Sequence, residues 1–187
     1  MTVTLHAADA VLTAPSSGVL ADGAVLTDGG RVVAIGRYED LAAADPRARV
    51  RRWPGLLTPG LVMPGADALL EGTYFLDARE EAPPPPPLTE VQWGQSARRG
   101  TQRLLARGVV AVAGRFTVPA VRTAVARSGL TIVGPLSAAG FHGELVAGGP
   151  ADFAVFATRD ADAVLAGADG VACVATVIAG RLLHRRR

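Results

Sequence analysis

Apolar and polar residues alternate in Val3-Thr4-Leu5-His6 and the apolar character returns at Val11-Leu12, which predicts strand structure over residues 3–13. Pro15-Ser16-Ser17-Gly18 then supplies turn chemistry. Two more strands, at residues 24–27 and 31–35, flank Asp28-Gly29-Gly30, and an Asp-Gly between apolar runs predicts a hairpin because such residues reach positive φ at low cost. Residues 38–44 predict a short Ala-rich helix stopped by Pro46, and residues 47–53 an exposed strand. The stretch from Arg52 to Asp67 organises the rest. In it Pro54-Gly55 and Pro59-Gly60 bracket a short apolar run, which predicts turn, strand, turn and then a buried strand at Leu61-Val62-Met63.

Downstream the period changes from two to that of a helix. Residues 82–88 hold five consecutive prolines and predict an extended polyproline spacer. Thr89-Glu90-Val91-Gln92 fits a capping box, so a helix is expected from there to Arg107 with Gly108 as its stop. Residues 109–113 form a fully apolar strand. Pro119 suits the first turn of a second helix whose Val121, Ala124 and Val125 share a face and which Gly129 ends. Residues 130–133 predict another buried strand.

Composition narrows the function classes. Of 187 residues, 49% are hydrophobic and 19% charged, enough for a packed core and incompatible with global disorder. The net charge is only +2, and apart from Arg185-Arg186-Arg187, read as a solvated tail, no basic stripe is interleaved with aromatics, so no nucleic-acid partner is expected. One cysteine, Cys173, excludes an intrachain disulfide and a multi-cysteine zinc site, and its apolar surroundings predict a buried structural thiol. No leader sequence opens the chain and no apolar run approaches the roughly 18 residues of a membrane helix, so a cytoplasmic location and no membrane partner are expected.

Pro59-Gly60-Leu61-Val62-Met63-Pro64-Gly65-Ala66-Asp67 resembles the start of the barrel in the amidohydrolase superfamily, which typically reads Pro-Gly-Leu-Val-Asn-Ala-His-x-His, the two histidines binding the catalytic metal. Val25 to Gly36 is similar to that family's N-terminal strands. Gly143 to Phe156 and Val174 to His184 resemble the returning segment and closing hairpin of its composite domain, and residues 103–114 and 127–134 the barrel's second and third strands. The resemblance is to imidazolonepropionase-like members. It implies a mixed α/β fold in which both chain ends, residues 1–60 and 136–187, build a discontinuous β-sandwich, with an abbreviated β/α remnant of a TIM barrel inserted at 61–135. A complete barrel alone needs about 250 residues, so closure is excluded.

The superfamily's metal site needs imidazoles and carboxylates, because the metal must lower the pKa of bound water. In this chain the first two ligand positions hold Gly65 and Asp67, and only His6, His142 and His184 remain anywhere. The candidates that survive are Asp67 and Glu71, four residues apart and on one face if that segment is helical, and His142 in the loop Gly140-Phe141-His142-Gly143. His6 and His184 read as structural or solvated. Walker, dinucleotide and Gly-x-Ser-x-Gly motifs are missing. The reading is a degenerate, non-catalytic amidohydrolase-like protein with a structural, regulatory or small-ligand-binding role and no cofactor. The alternative is a hydrolase or deaminase of non-peptide carbon–nitrogen bonds in a cyclic substrate, with a divalent metal at an atypical or partner-completed site. An incomplete β/α layer leaves apolar strands uncovered, so a second copy or a partner protein is expected over it.

Overall fold

The described strands form two sheets. The computed structural model describes residues 3–167 and 171–186. In chain order the elements are β1 (Val3–Val11), β2 (Leu20–Ala21), β3 (Gly23–Asp28), β4 (Arg31–Arg37), α1 (Tyr38–Ala44), β5 (Arg49–Pro59) and β6 (Leu61–Met63). There follow α2 (Ala66–Gly72), α3 (Glu90–Leu105), β7 (Val109–Ala113), α4 (Pro119–Ser128), β8 (Thr131–Val133) and β9 (Gly140–Phe141). The described chain ends with β10 (Phe153–Phe156), α5 (Ala161–Leu165), β11 (Cys173–Ile178) and β12 (Arg181–Arg185).

The first sheet has eight strands in the order β12-β11-β10-β5-β1-β3-β4, with β2 pairing β1 off that path. Strands from both chain ends therefore share one sheet, joined where β10 runs antiparallel to the second half of β5. The sheet curls. Val32 N–H donates to Gly149 O at 3.0 Å and Ala151 N–H to Gly30 O at 2.8 Å, which brings the β3–β4 turn against the segment leading into β10. Inside the curl lie Val11, Val25, Val32, Trp53, Leu57, Phe153, Val155, Ala175 and Val177, all buried. Outside it, α1 lays Tyr38, Leu41 and Ala42 on Leu5, Ala7, Ala24 and Leu26.

The second sheet has the order β8-β7-β6-β9, with β6, β7 and β8 parallel and β9 antiparallel. The crossovers from β6 to β7 and from β7 to β8 contain helices, the usual way of joining parallel strands. The Thr89 capping box is present, with Gln92 N–H donating to Thr89 Oγ1 at 3.3 Å and Thr89 N–H to Gln92 Oε1 at 2.8 Å. Pro119 occupies the first turn of α4, its buried face is Val121, Ala124 and Val125, and Gly129 ends it in the left-handed region. All five residues of β7 are buried, between the helices and the first sheet.

Three sequence expectations need correcting. Pro54-Gly55 is not a turn: β5 runs through it, with Pro54 and Gly55 together opposing the single residue Asp9 of β1, a bulge whose Gly55 N–H donates to Asp9 Oδ2 at 2.8 Å. The strand read as exposed over residues 47–53 begins at Arg49 and buries Trp53. Residues 130–133 do not form a buried strand; only Leu130 is buried, while Thr131 and Ile132 are exposed because β8 is the sheet's outer edge. The periodicity there carried no information about which strand would be last.

His6, read as structural or solvated, is fully buried in β1. Its Nδ1 accepts from Trp53 Nε1 at 3.3 Å, the two rings stack, and Phe153 meets it edge-on at 4.8 Å. Nε2 has no hydrogen-bond partner. Burial first, and then the Arg51 guanidinium, push the His6 pKa down to about 3 from 6.5. Between those values the unfolded chain takes up a proton that the fold refuses, so stability falls as pH drops from 6.5 toward 3, by up to about 1.4 kcal/mol per pH unit. Urea titrations from pH 7 to pH 4 should show this slope, and His6→Leu should lose most of it.

Candidate functional site

Gly60 carries the chain from one sheet to the other. Its carbonyl accepts from His142 N–H at 2.6 Å, and the next residue, Leu61, donates to Gly108 O at 2.9 Å, which sets β6 beside β7. Because β6, β7 and β8 are parallel, their C-terminal ends lie on one side, and in open α/β layers sites form at that side. Asp67 and Glu71 stand there. Gly65, at φ +60°, starts α2 directly after β6, and α2 presents both carboxylates to the segment 114–118 that follows β7.

Both carboxylates are occupied by backbone donors. Asp67 accepts from Arg115 N–H at 2.7 Å and from Ala68 N–H at 2.9 Å. Glu71 accepts from Thr117 N–H at 2.6 Å, Val118 N–H at 2.7 Å and the Thr117 hydroxyl at 2.8 Å. Val118 caps α4 with no side chain of its own, so Glu71 acts as a cap supplied by another helix, at the end where the helix dipole favours a negative charge. Gly114, at φ +151°, lets Asp67 approach this closely, since a Cβ there would overlap the carboxyl group. The Arg115 and Ala68 amides hold the Asp67 carboxyl below the usual carboxylate range. That is the wrong direction for a general acid, which needs its pKa raised toward neutrality.

His142 is elsewhere. The register Leu61↔Phe141 and Val62↔Gly140 places it at the N-terminal end of β6, whereas Asp67 lies past the C-terminal end. The structure thus brings two of the three candidates together and leaves the third apart. Among the described residues, no group of three or more His, Cys, Asp or Glu side chains is arranged to hold a metal ion. At the position where the resemblance expects a first ligand, Gly65 offers no donor atom. The residues present do not fit a catalytic metal of the family type.

A concavity of about 670 Å³, lined by neither Asp67 nor Glu71, was not foreseen from the sequence, because its walls come from distant segments. Leu61, Met63, Phe156 and Val164 line its apolar side, and Arg107 and His184 its rim. Cys173 lies in its wall with Sγ 3.4 Å from Thr176 Oγ1; burial pushes its thiol pKa up, so the nucleophilic thiolate is disfavoured. Burial also holds the His184 imidazole below its ordinary value.

Residues 23–44, which form β3, β4 and α1, match the family model described as the imidazolonepropionase-like composite domain of bacteria. No curated protein matches the chain. Among solved structures it is similar to ochratoxinase of A. niger (TM-score 0.51, 16% identity, 74% of this chain and 32% of that one). It is also similar to a triazine hydrolase variant (TM-score 0.51, 19% identity, 72% and 35%) and to guanine deaminase from Bradyrhizobium japonicum (TM-score 0.50, 17% identity, 74% and 35%). The chain spans about a third of the length of these structures. The resemblance in sequence thus rests on the family-model match over β3–α1, while the solved structures share the mixed α/β fold over part of their length; the described sheets of this chain do not close into a barrel. Of the described helices, none is long and apolar enough to cross a membrane.

Proposed function

We propose that this chain is a degenerate amidohydrolase-like protein whose barrel-derived layer has lost catalysis and serves a structural, regulatory or small-ligand-binding role. The observation that carries this reading is the use of Asp67 and Glu71, which hold the post-β7 segment and the start of α4 through four hydrogen bonds to the 114–118 segment. These bonds take up acceptor sites that a catalytic carboxylate would turn toward substrate or metal. In this reading residues 1–60 and 136–187 are one composite unit, its curled sheet equivalent to the family's β-sandwich, with 61–135 as the insertion and Gly140-Phe141 lending it an edge strand. The protein is cytoplasmic, uses no cofactor, and buries the β8 edge against a second copy or a partner protein. Exposed Ile132 and Leu136 favour that association.

The alternative, a hydrolase or deaminase of carbon–nitrogen bonds in a cyclic substrate, draws on the position of Asp67 and Glu71 at the C-terminal ends of parallel strands. The names of fold relatives, a guanine deaminase and a triazine hydrolase, point the same way. The test is metal analysis of protein purified without chelator, followed by assay against cyclic amidines and amides. Asp67→Asn and His142→Ala, made separately, should change neither metal content nor turnover. Glu71→Ala should cost about 1–2 kcal/mol of stability, the scale for losing a capping carboxylate whose donors are exposed to half-buried. Stoichiometric zinc, iron or manganese that is lost in Asp67→Asn would reverse the assignment.

A further inference from the structure

The first half of β5 reads Arg49-Val50-Arg51-Arg52-Trp53, and β10 pairs only with Leu56 to Pro59, so on its β10 side the arginine-bearing half has no strand beside it. Side chains alternate along a strand, which puts Arg49, Arg51 and Trp53 on one face and Arg52 on the other, where its guanidinium covers Tyr38 at 4.1 Å. Across the open edge stands β12. Its Arg185 reaches to 5.8 Å from the Trp53 ring. Arg49, Arg51, Trp53, Leu182 and Arg185 thus line a groove of about 300 Å³, at the small end of the range for ligand sites.

Among the described residues, the groove lining is cationic and carries no carboxylate. Among the described residues the ion pairs are Arg99–Glu80 and Arg159–Asp9, so none of the three guanidiniums has a carboxylate within ion-pair distance, and the groove lining contains no acidic residue. Burial, and then the Arg49 and Arg185 charges beside it, hold the Arg51 pKa below its ordinary value. Two residues along from Arg51, Trp53 is held by its bond to buried His6, so a positioned aromatic ring forms part of the groove wall. Crowding like charges around that ring opposes folding, offset only in part by the contact of Arg185 with Trp53. It does create a preorganised anion receptor, because guanidinium forks match phosphoryl and carboxylate oxygens two at a time.

We infer that the groove between β5 and β12 binds a small multivalent oxyanion, of phosphoryl or polycarboxylate type, through Arg49, Arg51 and Arg185 over Trp53. The site stands apart from Asp67 and Glu71, and its existence does not depend on whether that end of the second sheet is catalytic.

The test uses the full chain carrying Trp93→Phe, which leaves Trp53 as the sole tryptophan. Its fluorescence is followed during titration with inorganic phosphate, pyrophosphate and citrate at constant ionic strength set with sodium chloride. A saturable change with pyrophosphate or citrate is expected, and which of the two binds more tightly separates a phosphoryl from a polycarboxylate ligand. Arg51→Gln and Arg185→Gln should each weaken binding about tenfold, the loss of one charge-assisted contact, while Arg98→Gln on α3 should leave it unchanged. Arg49→Gln, at an exposed position, provides the same reading should a change at Arg51 disturb the fold. A linear response to all three anions, or equal affinity in the parent and the Arg49, Arg51 and Arg185 variants, overturns the inference.

Discussion

Phe153→Ala will lower the unfolding free energy by about 3–5 kcal/mol, the range for removing a fully buried phenylalanine and leaving most of its volume empty. Among the described residues, Phe153 is the largest side chain that is fully buried. It sits opposite Pro59 of β5 and Val177 of β11, and its ring meets His6 of β1, so it touches strands from both ends of the chain. A urea titration followed by far-ultraviolet circular dichroism should show one transition displaced to lower denaturant. One transition is expected because the curled sheet has a single interior shared by β1, β3, β4, β5, β10 and β11. A loss below about 1 kcal/mol, or two separate transitions, would mean that the two chain ends do not form one cooperative core.

Gly55→Ala will be as damaging, by about 3 kcal/mol or more, for a different reason. The residue lies at φ +90° in the β5 bulge, and a Cβ added there would run into the backbone carbonyl of Phe156 on the neighbouring strand. A flexible side chain could move aside, but backbone paired at Phe156↔Leu56 cannot without breaking the β5–β10 register. Asn tolerates positive φ better than Ala, yet Gly55→Asn should not recover stability, since the obstacle is the Cβ atom both share. Equal thermal midpoints for Gly55→Ala and the parent would refute the account.

These two positions also show how far the sequence could be read. Gly55 announced itself as one half of a Pro-Gly pair, and the local rule gave a turn. The position instead carries a bulge, because Asp9 of β1 supplies a carboxylate for the Gly55 N–H and the parallel partner keeps the strand running. Local chemistry marked the residue, and a neighbour 46 positions away chose its conformation. The candidate site behaved similarly. Four-residue spacing placed Asp67 and Glu71 on one face of a helix, but nothing local revealed that their partners would be the amides of 115, 117 and 118.

What the chain determined by itself was the set of elements whose signals are short-range. The capping box at Thr89, Pro119 in the first turn of α4, the Gly129 stop, the Asp28-Gly29-Gly30 hairpin and the α1 helix from Tyr38 to Ala44 all follow from interactions within about four residues. The absence of imidazoles at the family ligand positions was equally visible, since it concerns residue identity alone. Tertiary structure decided which strand became an edge, turning the apolar run at β8 outward, and which side chains converged. Arg49 and Arg51 read as part of an exposed strand and Arg185 as part of a solvated tail; only the pairing of β10 with both β5 and β11 brings Arg185 over Trp53 and beside the β5 arginines. Hydrophobic periodicity records which face of an element is buried, whereas convergence of charge from residues more than a hundred positions apart depends on sheet order, which no local pattern encodes.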